Sequence, residues 1–155
     1  MPATPDTRAE TILAFDFGLR RIGVAVGQTV TRSASPVGIV SNSSNGPDWQ
    51  RIATIIKEWG ADRLVVGMPF NVDGSPSQIS IQVDAFMKGL MRFSLPVEAT
   101  DERYSSSEAQ QMLVLKRKLG VRGKIGKETL DAAAATLIAE RWLKDGDAGA
   151  ERIGK

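Results

Sequence analysis

The chain has 155 residues, 42% of them hydrophobic and 25% charged, with a formal net charge of only +2; these are the proportions of one soluble globular domain. It holds neither cysteine nor histidine, which excludes disulfides, thiol nucleophiles, cysteine or imidazole metal sites and serine–histidine triads. Any chemistry falls to carboxylates, Lys, Arg, Ser, Tyr104 or a hard cation held by oxygen ligands, Mg²⁺ or Mn²⁺. No apolar run approaches the roughly 20 residues of a membrane span, and the N-terminus lacks the apolar stretch of a secretory signal. A cytoplasmic protein without membrane association is expected.

Residues 1–10, rich in Pro, Thr and charge, read as a disordered lead-in. Ile12–Gly18 is a β-type run, Leu19-Arg20-Arg21 a charged turn, and Ile22–Gly27 a second strand, so the two predict a hairpin. Val37–Val40 is a third strand, followed by the loop Ser41–Pro47. The period then changes. Trp49, Ile52, Ile56 and Trp59 fall at helical spacing, with Gly60 where that helix should stop. Arg63–Gly67 is a short buried strand. Ser75-Pro76 with Gln78 makes a capping box, and Ile79, Val83, Phe86 and Leu90 mark the apolar face of the helix it opens. Leu95–Thr100 is the last strand. Ser105 and Glu108 form a second capping box, for a helix to about residue 116, and a final helix runs from about residue 129 to 144. Residues 11–145 thus form one domain, and 146–155 a flexible tail. The order βββαβαβαα predicts an α/β protein with a mixed five-stranded sheet and helices on both faces, the arrangement of a ribonuclease H-like fold.

Asp16 interrupts the apolar run Leu13-Ala-Phe-Asp-Phe17. An ionised carboxylate in a strand buried on both faces is costly unless it is paired or binds a metal; a strand-end Asp turned toward Gly18 is the structural alternative. Asp101 and Glu102 end the last strand, where sites of open α/β sheets lie, and alternation lets at most one of them share a face with a given neighbour. A solvated turn, paired with Arg103, would also explain them. Asp131 lies four, seven and eleven residues before Ala135, Ile138 and Trp142 on the core-facing stripe of its helix, although acids in a first turn also simply suit the helix dipole. The alanines 132–135 let that helix approach the sheet closely. Together Asp16, Glu102 or Asp101, and Asp131 are candidate catalytic residues and metal ligands, able to hold one or two Mg²⁺ or Mn²⁺ ions for phosphodiester hydrolysis.

Between the last two helices, residues 116–127 carry six cations, three glycines and no acid. Lys116, Arg117, Lys118, Arg122, Lys124 and Lys127 are candidate nucleic-acid contacts, since phosphate neutralisation supplies most nucleic-acid affinity; a solvated surface loop is the alternative. Arg20, Arg21 and Arg103 belong to the same candidate surface, and Arg32 could extend it. Gly74 and Ser75, between a strand end and a helix start, are candidates for a phosphate-binding loop.

Four segments in order, Asp16–Val26, Val65–Ser75, Asp101–Ala109 and Asp131–Ala135, resemble the YqgF family, the RuvX-like homologues of Holliday junction resolvases that are regarded as pre-16S ribosomal RNA nucleases. The resemblance spans roughly residues 11–145. It implies a ribonuclease H-like endonuclease that matures the 5′ end of small-subunit ribosomal RNA, with family acids at Asp16, at Glu102 with Asp101 beside it, and at Asp131. Precursor ribosomal RNA is the implied substrate and pre-ribosomal particles possible company; a junction resolvase acting on branched DNA and a non-catalytic RNA-binding assembly factor are the alternatives. A monomer or weak homodimer is expected.

Overall fold

In a computed structural model that describes residues 9–68, 79–101 and 127–145, three successive strands open the fold. They are β1 (Thr11–Asp16), β2 (Arg21–Gln28) and β3 (Ser33–Ser43), each antiparallel to the one before. A two-residue strand, β4 (Gly46–Pro47), turns back along the end of β3. Helix α1 (Trp49–Trp59) leads to β5 (Arg63–Met68), α2 (Ser80–Leu90) and a 3-10 turn (Met91–Phe93) lead to β6 (Val97–Asp101), and α3 (Lys127–Asp145) follows. β5 and β6 run parallel to β1, so the sheet order is β4-β3-β2-β1-β5-β6. The mixed α/β sheet is as expected, with one correction: it has six strands and not five, because the loop after β3 folds back to pair Asn42 with Pro47 and Ser43 with Gly46. Likewise β3 begins at Ser33, four residues before the expected Val37. The helix expected near residues 105–116, the capping box at 75–78 and the tail 146–155 lie outside the described residues.

Strand alternation divides the buried side chains between two layers. Leu13, Phe15, Ile22, Val24, Leu64 and Val66 face α1 and α2, where Ile52, Ile55, Val83, Phe86 and Leu90 complete the core. Ile12, Ala14 and Val65 face the other way, against Ile138, Ala139, Trp142 and Leu143 of α3. Helices therefore cover both faces. Asp48 caps α1 by accepting from the Arg51 amide at 3.1 Å, and Gly60 ends it in the left-handed conformation, φ 60°. Of the expected α1 stripe, Trp59 is the exception: it is 43% exposed, and Ile55 is buried in its stead. At 100° per residue position 59 stays in phase with 52 and 55, but it is the last residue of the helix, directly before the Gly60 stop.

The small face of the sheet lets α3 come close. Gly27, Ala25 and Gly23 of β2 pair with Ile12, Ala14 and Asp16 of β1, and the helix answers with buried Ala139 and, one turn earlier, Ala135. At the C-terminal end of α3 the Trp142 Nε1–H donates to Glu98 Oε1 at 2.9 Å. Arg63 bonds the same Glu98 carboxylate and forks to Glu10 with two contacts of 3.2 Å, its guanidinium 5.8 Å from the Trp142 ring centroid. The hydrogen bonds that Arg63 donates to Glu10 raise its pKa above the ordinary value; burial opposes the rise and the charges of Glu10 and Glu98 reinforce it. Glu10, the last residue of the expected lead-in, is thus tied to the sheet.

On the opposite face Trp49 stacks on Phe86, ring centroids 5.6 Å apart, and Arg92 lies 4.0 Å over its other side. A Cβ at Gly89 would come within 2.6 Å of two carbons of that ring. Because the ring is clamped on both sides, it cannot swing away cheaply. Gly89→Ala should therefore cost about 1–3 kcal/mol through overpacking, more than the ~1 kcal/mol that alanine gains in a helix. A lower urea midpoint at unchanged m-value would confirm this; an unchanged or higher midpoint would show that the ring yields.

Candidate functional site

The last residue of β1 is Asp16. Its neighbours Ile12 and Ala14, four and two positions back, pack on α3, whereas Phe15 and Phe17 pack on the α1/α2 side. Alternation thus places half-buried Asp16 on the face that α3 covers. Across the sheet its row is almost bare. Asp16 pairs with Gly23 on β2; Phe15 pairs with Val66, so Asp16 falls level with Gly67, which pairs with Thr100 on β6. The row reads Gly23, Asp16, Gly67, Thr100: one carboxylate between two glycines, closed by a hydroxyl.

The chain on either side of Asp16 is held tightly. Asn42 of β3 donates its side-chain amide to the Gly18 carbonyl at 2.7 Å, and its own backbone N–H reaches the Arg20 carbonyl at 3.0 Å. A Cβ on Gly18 would sit 2.4 Å from the Arg21 carbonyl oxygen, so the turn closes only around glycine. Arg20 is exposed, and Arg21 is half-buried at the start of β2, four and five residues after Asp16 along the chain. Arg32 lies in the hairpin after Gln28, whereas Arg21 starts the same strand. Eight residues of strand span ~26 Å, which removes Arg32 from any surface shared with Arg20 and Arg21.

Helix α3 runs antiparallel to β1. Its Trp142 meets Glu98 near the start of β6, and Leu143 approaches Gly27, which pairs with Ile12 near the start of β1. The first turns of α3 therefore lie toward the strand end that carries Asp16. Asp131 belongs to those turns, and the positions four, seven and eleven residues on, Ala135, Ile138 and Trp142, are all buried against the sheet. The expected stripe is present, and position 131 is in phase with it. In β6, Glu98 and Thr100 share the α3 face, while Asp101 is level with Met68, which packs on the α1/α2 side. Position 101 is thus one step out of phase with the row of Asp16.

Glu102, Arg103, Lys116, Arg117, Lys118, Arg122, Lys124, Gly74 and Ser75 lie outside the described residues, and so do the side chains of Asp101, Lys127 and Asp131. Among the described residues no three acidic side chains gather, since Asp16 is there the one member of the expected trio. The residues that sequence reasoning missed are the two glycines of the row, Thr100 and Asn42. A glycine inside a strand signals close approach or open space, so Gly23 and Gly67 were legible in principle; nothing in the sequence singles out Asn42. A separate shallow groove on the α1/α2 face, lined by Phe17, Leu19, Trp49 and Phe86 among others, carries no acidic residue.

Comparison with known proteins shows the family and the fold. A family model described as "RuvX: Holliday junction resolvase" matches residues 10–145. A protein of Azotobacter vinelandii named "Putative pre-16S rRNA nuclease" is 40% identical over 139 residues, covering 89% of this chain and 96% of its own. A Coxiella burnetii protein of the same name is 44% identical over 135 residues, 86% and 92% of the two chains. Among solved structures, Thermus thermophilus RuvC in complex with a Holliday junction substrate superposes with a TM-score of 0.56 at 15% identity, covering 88% of this chain and 96% of that one. The Fowlpox virus resolvase in its junction DNA complex gives 0.58 at 12%, covering 87% and 97%. Those two likenesses establish the ribonuclease H-like fold.

The closed turn gives a test. Gly18→Ala forces a backbone clash beside Asp16 and should lower stability by about 1–3 kcal/mol, whereas Asn42→Ala, which removes one hydrogen bond, should cost about 1 kcal/mol. Thermal melts of the two variants should keep that order; a harmless Gly18→Ala would show that the turn has slack.

Proposed function

This chain belongs to the RuvX family, and from that membership we propose that it is a divalent-metal-dependent nuclease that hydrolyses a phosphodiester bond of precursor 16S ribosomal RNA. The observation that carries the reading is Asp16: a carboxylate at the end of the central strand, flanked by glycines, on the face and at the end where α3 begins. Neither strand paired with β1 places a side chain beside Asp16 in its row, and a carboxylate within a sheet is costly unless it is paired or binds a metal. Its near neighbours suit a hard cation, because the donors at this end are oxygens and the chain has no histidine or cysteine.

We assign Asp16, Glu102 and Asp131 to the metal. Glu102 is preferred over Asp101 because, counted along the strand, it is the next position in phase with Glu98 and Thr100. A bound Mg²⁺ or Mn²⁺ supplies charge stabilisation and an activated water in such sites. The chain's part is to orient the carboxylates: β1 sets Asp16, and the antiparallel run of α3 brings position 131 to the same end. Arg20 and Arg21, and the cations of 116–127 with Arg103, are assigned to the phosphate backbone, and Gly74 and Ser75 to a phosphate near the β5 end. On this reading the enzyme acts on precursor ribosomal particles in the cytoplasm. One site per chain suffices for a single-strand cut, whereas junction resolution pairs two sites across a symmetric substrate.

Purified protein offered precursor 16S ribosomal RNA and a four-way DNA junction, each with and without Mn²⁺, tests the reading. Metal-dependent cleavage of the RNA is expected. Cleavage of the junction alone would favour the resolvase reading, and binding without cleavage of either would favour an assembly factor.

Two further outcomes follow from the assignments. Asp16→Asn keeps the size of the side chain and removes its charge, so cleavage should collapse, RNA affinity should persist, and the melting temperature without metal should hold or rise as like charges are relieved. Full cleavage by a well-folded Asp16→Asn protein would falsify the mechanism. Neutralising the six cations of residues 116–127 should flatten the salt dependence of RNA binding by about one slope unit per lost phosphate contact. An unchanged slope would assign that segment to solvated surface.

A further inference from the structure

Two polar side chains are buried among the described residues, Thr100 at 5% and Thr136 at 1% exposure. They differ in one respect. The Thr136 hydroxyl donates to the Ala132 carbonyl at 2.9 Å along its own helix, whereas the Thr100 hydroxyl has no hydrogen-bond partner among the described residues. A buried hydroxyl left without a partner costs about 1–3 kcal/mol, and buried polar groups in folded proteins almost always have one. Its partner is therefore something that the site receives.

The position of Thr100 says where. Glu98, two residues earlier, bonds Trp142 of α3, so alternation puts Thr100 on the α3 face. It is paired with Gly67, and Gly67 is level with Asp16. Adjacent strands lie ~4.8 Å apart, so the Asp16 and Thr100 backbones stand about 10 Å from each other. The strand between them contributes a glycine and hence no side chain. No side chain of β5 therefore stands between the Asp16 and Thr100 positions on that face.

We propose that Thr100 is a positioning residue of the site, whose hydroxyl hydrogen-bonds an ordered water of the hydrated divalent cation seated over Gly67. The inference rests on the metal-dependent nuclease reading above and deepens it. Thr100 touches neither the reacting phosphate nor the cation; it acts on the cation's water shell. Outer-shell partners of this kind typically account for 10–100-fold in metal affinity or activity.

Thr100→Val replaces the hydroxyl by a methyl group of the same shape, and Thr100→Ser keeps the hydroxyl and drops the methyl. Melting temperature is measured for both variants, for wild type and for Asp16→Asn, in chelator and across a Mn²⁺ titration, alongside RNA cleavage. In chelator Thr100→Val should melt at or above wild type, because an unsatisfied buried group is gone. Its Mn²⁺-induced rise in melting temperature should need roughly 10-fold more metal, with cleavage reduced to match, and Thr100→Ser should restore both. A Thr100→Val protein that melts well below wild type in chelator, and loses activity only in proportion, would overturn the proposal in favour of a structural hydroxyl. If Asp16→Asn abolishes the Mn²⁺ response and Thr100→Val leaves it unchanged, the proposal fails and the nuclease reading stands. A wild-type protein with no Mn²⁺ response overturns both.

Discussion

Helix α3 can lie on the sheet only as closely as the side chains between them allow. Those residues are Gly23, Ala25, Gly27 and Ala14 on one surface and, in the phase of Ile138 and Trp142, Ala135 and Ala139 on the other. Dispersion contacts fall away steeply with distance, so two smooth surfaces of small residues hold best when they touch along their whole length. That seating decides which end of the helix meets which end of the strands. It buries the stripe that begins at position 131 and sends the first turn toward Asp16. Larger residues in this layer would lift the helix and part the carboxylate positions without altering any one of them.

The same interface explains why the sheet is so differently built on its two sides. Toward α1 and α2 the side chains are large, and Phe15, Phe86 and Trp49 interlock through ring contacts near 5.6 Å. That side supplies most of the buried apolar area and the stability that follows from it. The α3 side supplies less area per residue but a defined distance. One face holds the large rings, and the other sets the spacing between α3 and the sheet.

Much of this was legible in the chain itself. The switch from period two to period 3.6 near Trp49, the stop at Gly60 and the stripe Ile138–Trp142 each follow from side-chain spacing that burial enforces locally. What resisted was anything that depends on neighbours distant in sequence. The two-residue β4 forms because Asn42 and Ser43 offer it a ladder, and no local propensity announces that. Arg32 has the same charge as Arg20 and Arg21, yet a hairpin carries it to the other end of β2. Thr100 reads as an ordinary strand threonine until Gly67 and Asp16 are known to share its row. For the candidate site, Asp16 and the phase of position 131 came from pattern alone, whereas the choice between Asp101 and Glu102 needed the partner strand, because Met68 and Gly67 label the two faces.

The Arg63 cluster at the far end of the strands bears on the site through leverage. Trp142, fixed there by Glu98 and lying beside the guanidinium that Glu10 grips, is eleven residues from Asp131 along one continuous helix. That distance is about 16 Å at 1.5 Å per residue. A rigid rod pivoting at this anchor would turn a 5° tilt into a displacement of about 1.4 Å at the Asp131 backbone. Misplacement by about 1 Å can cost 10²-fold in rate. Two acids at the remote pole, one of them on the segment that precedes the first strand, therefore act as the stop screw of the helix, and wear at that screw would be felt at the opposite end of the molecule.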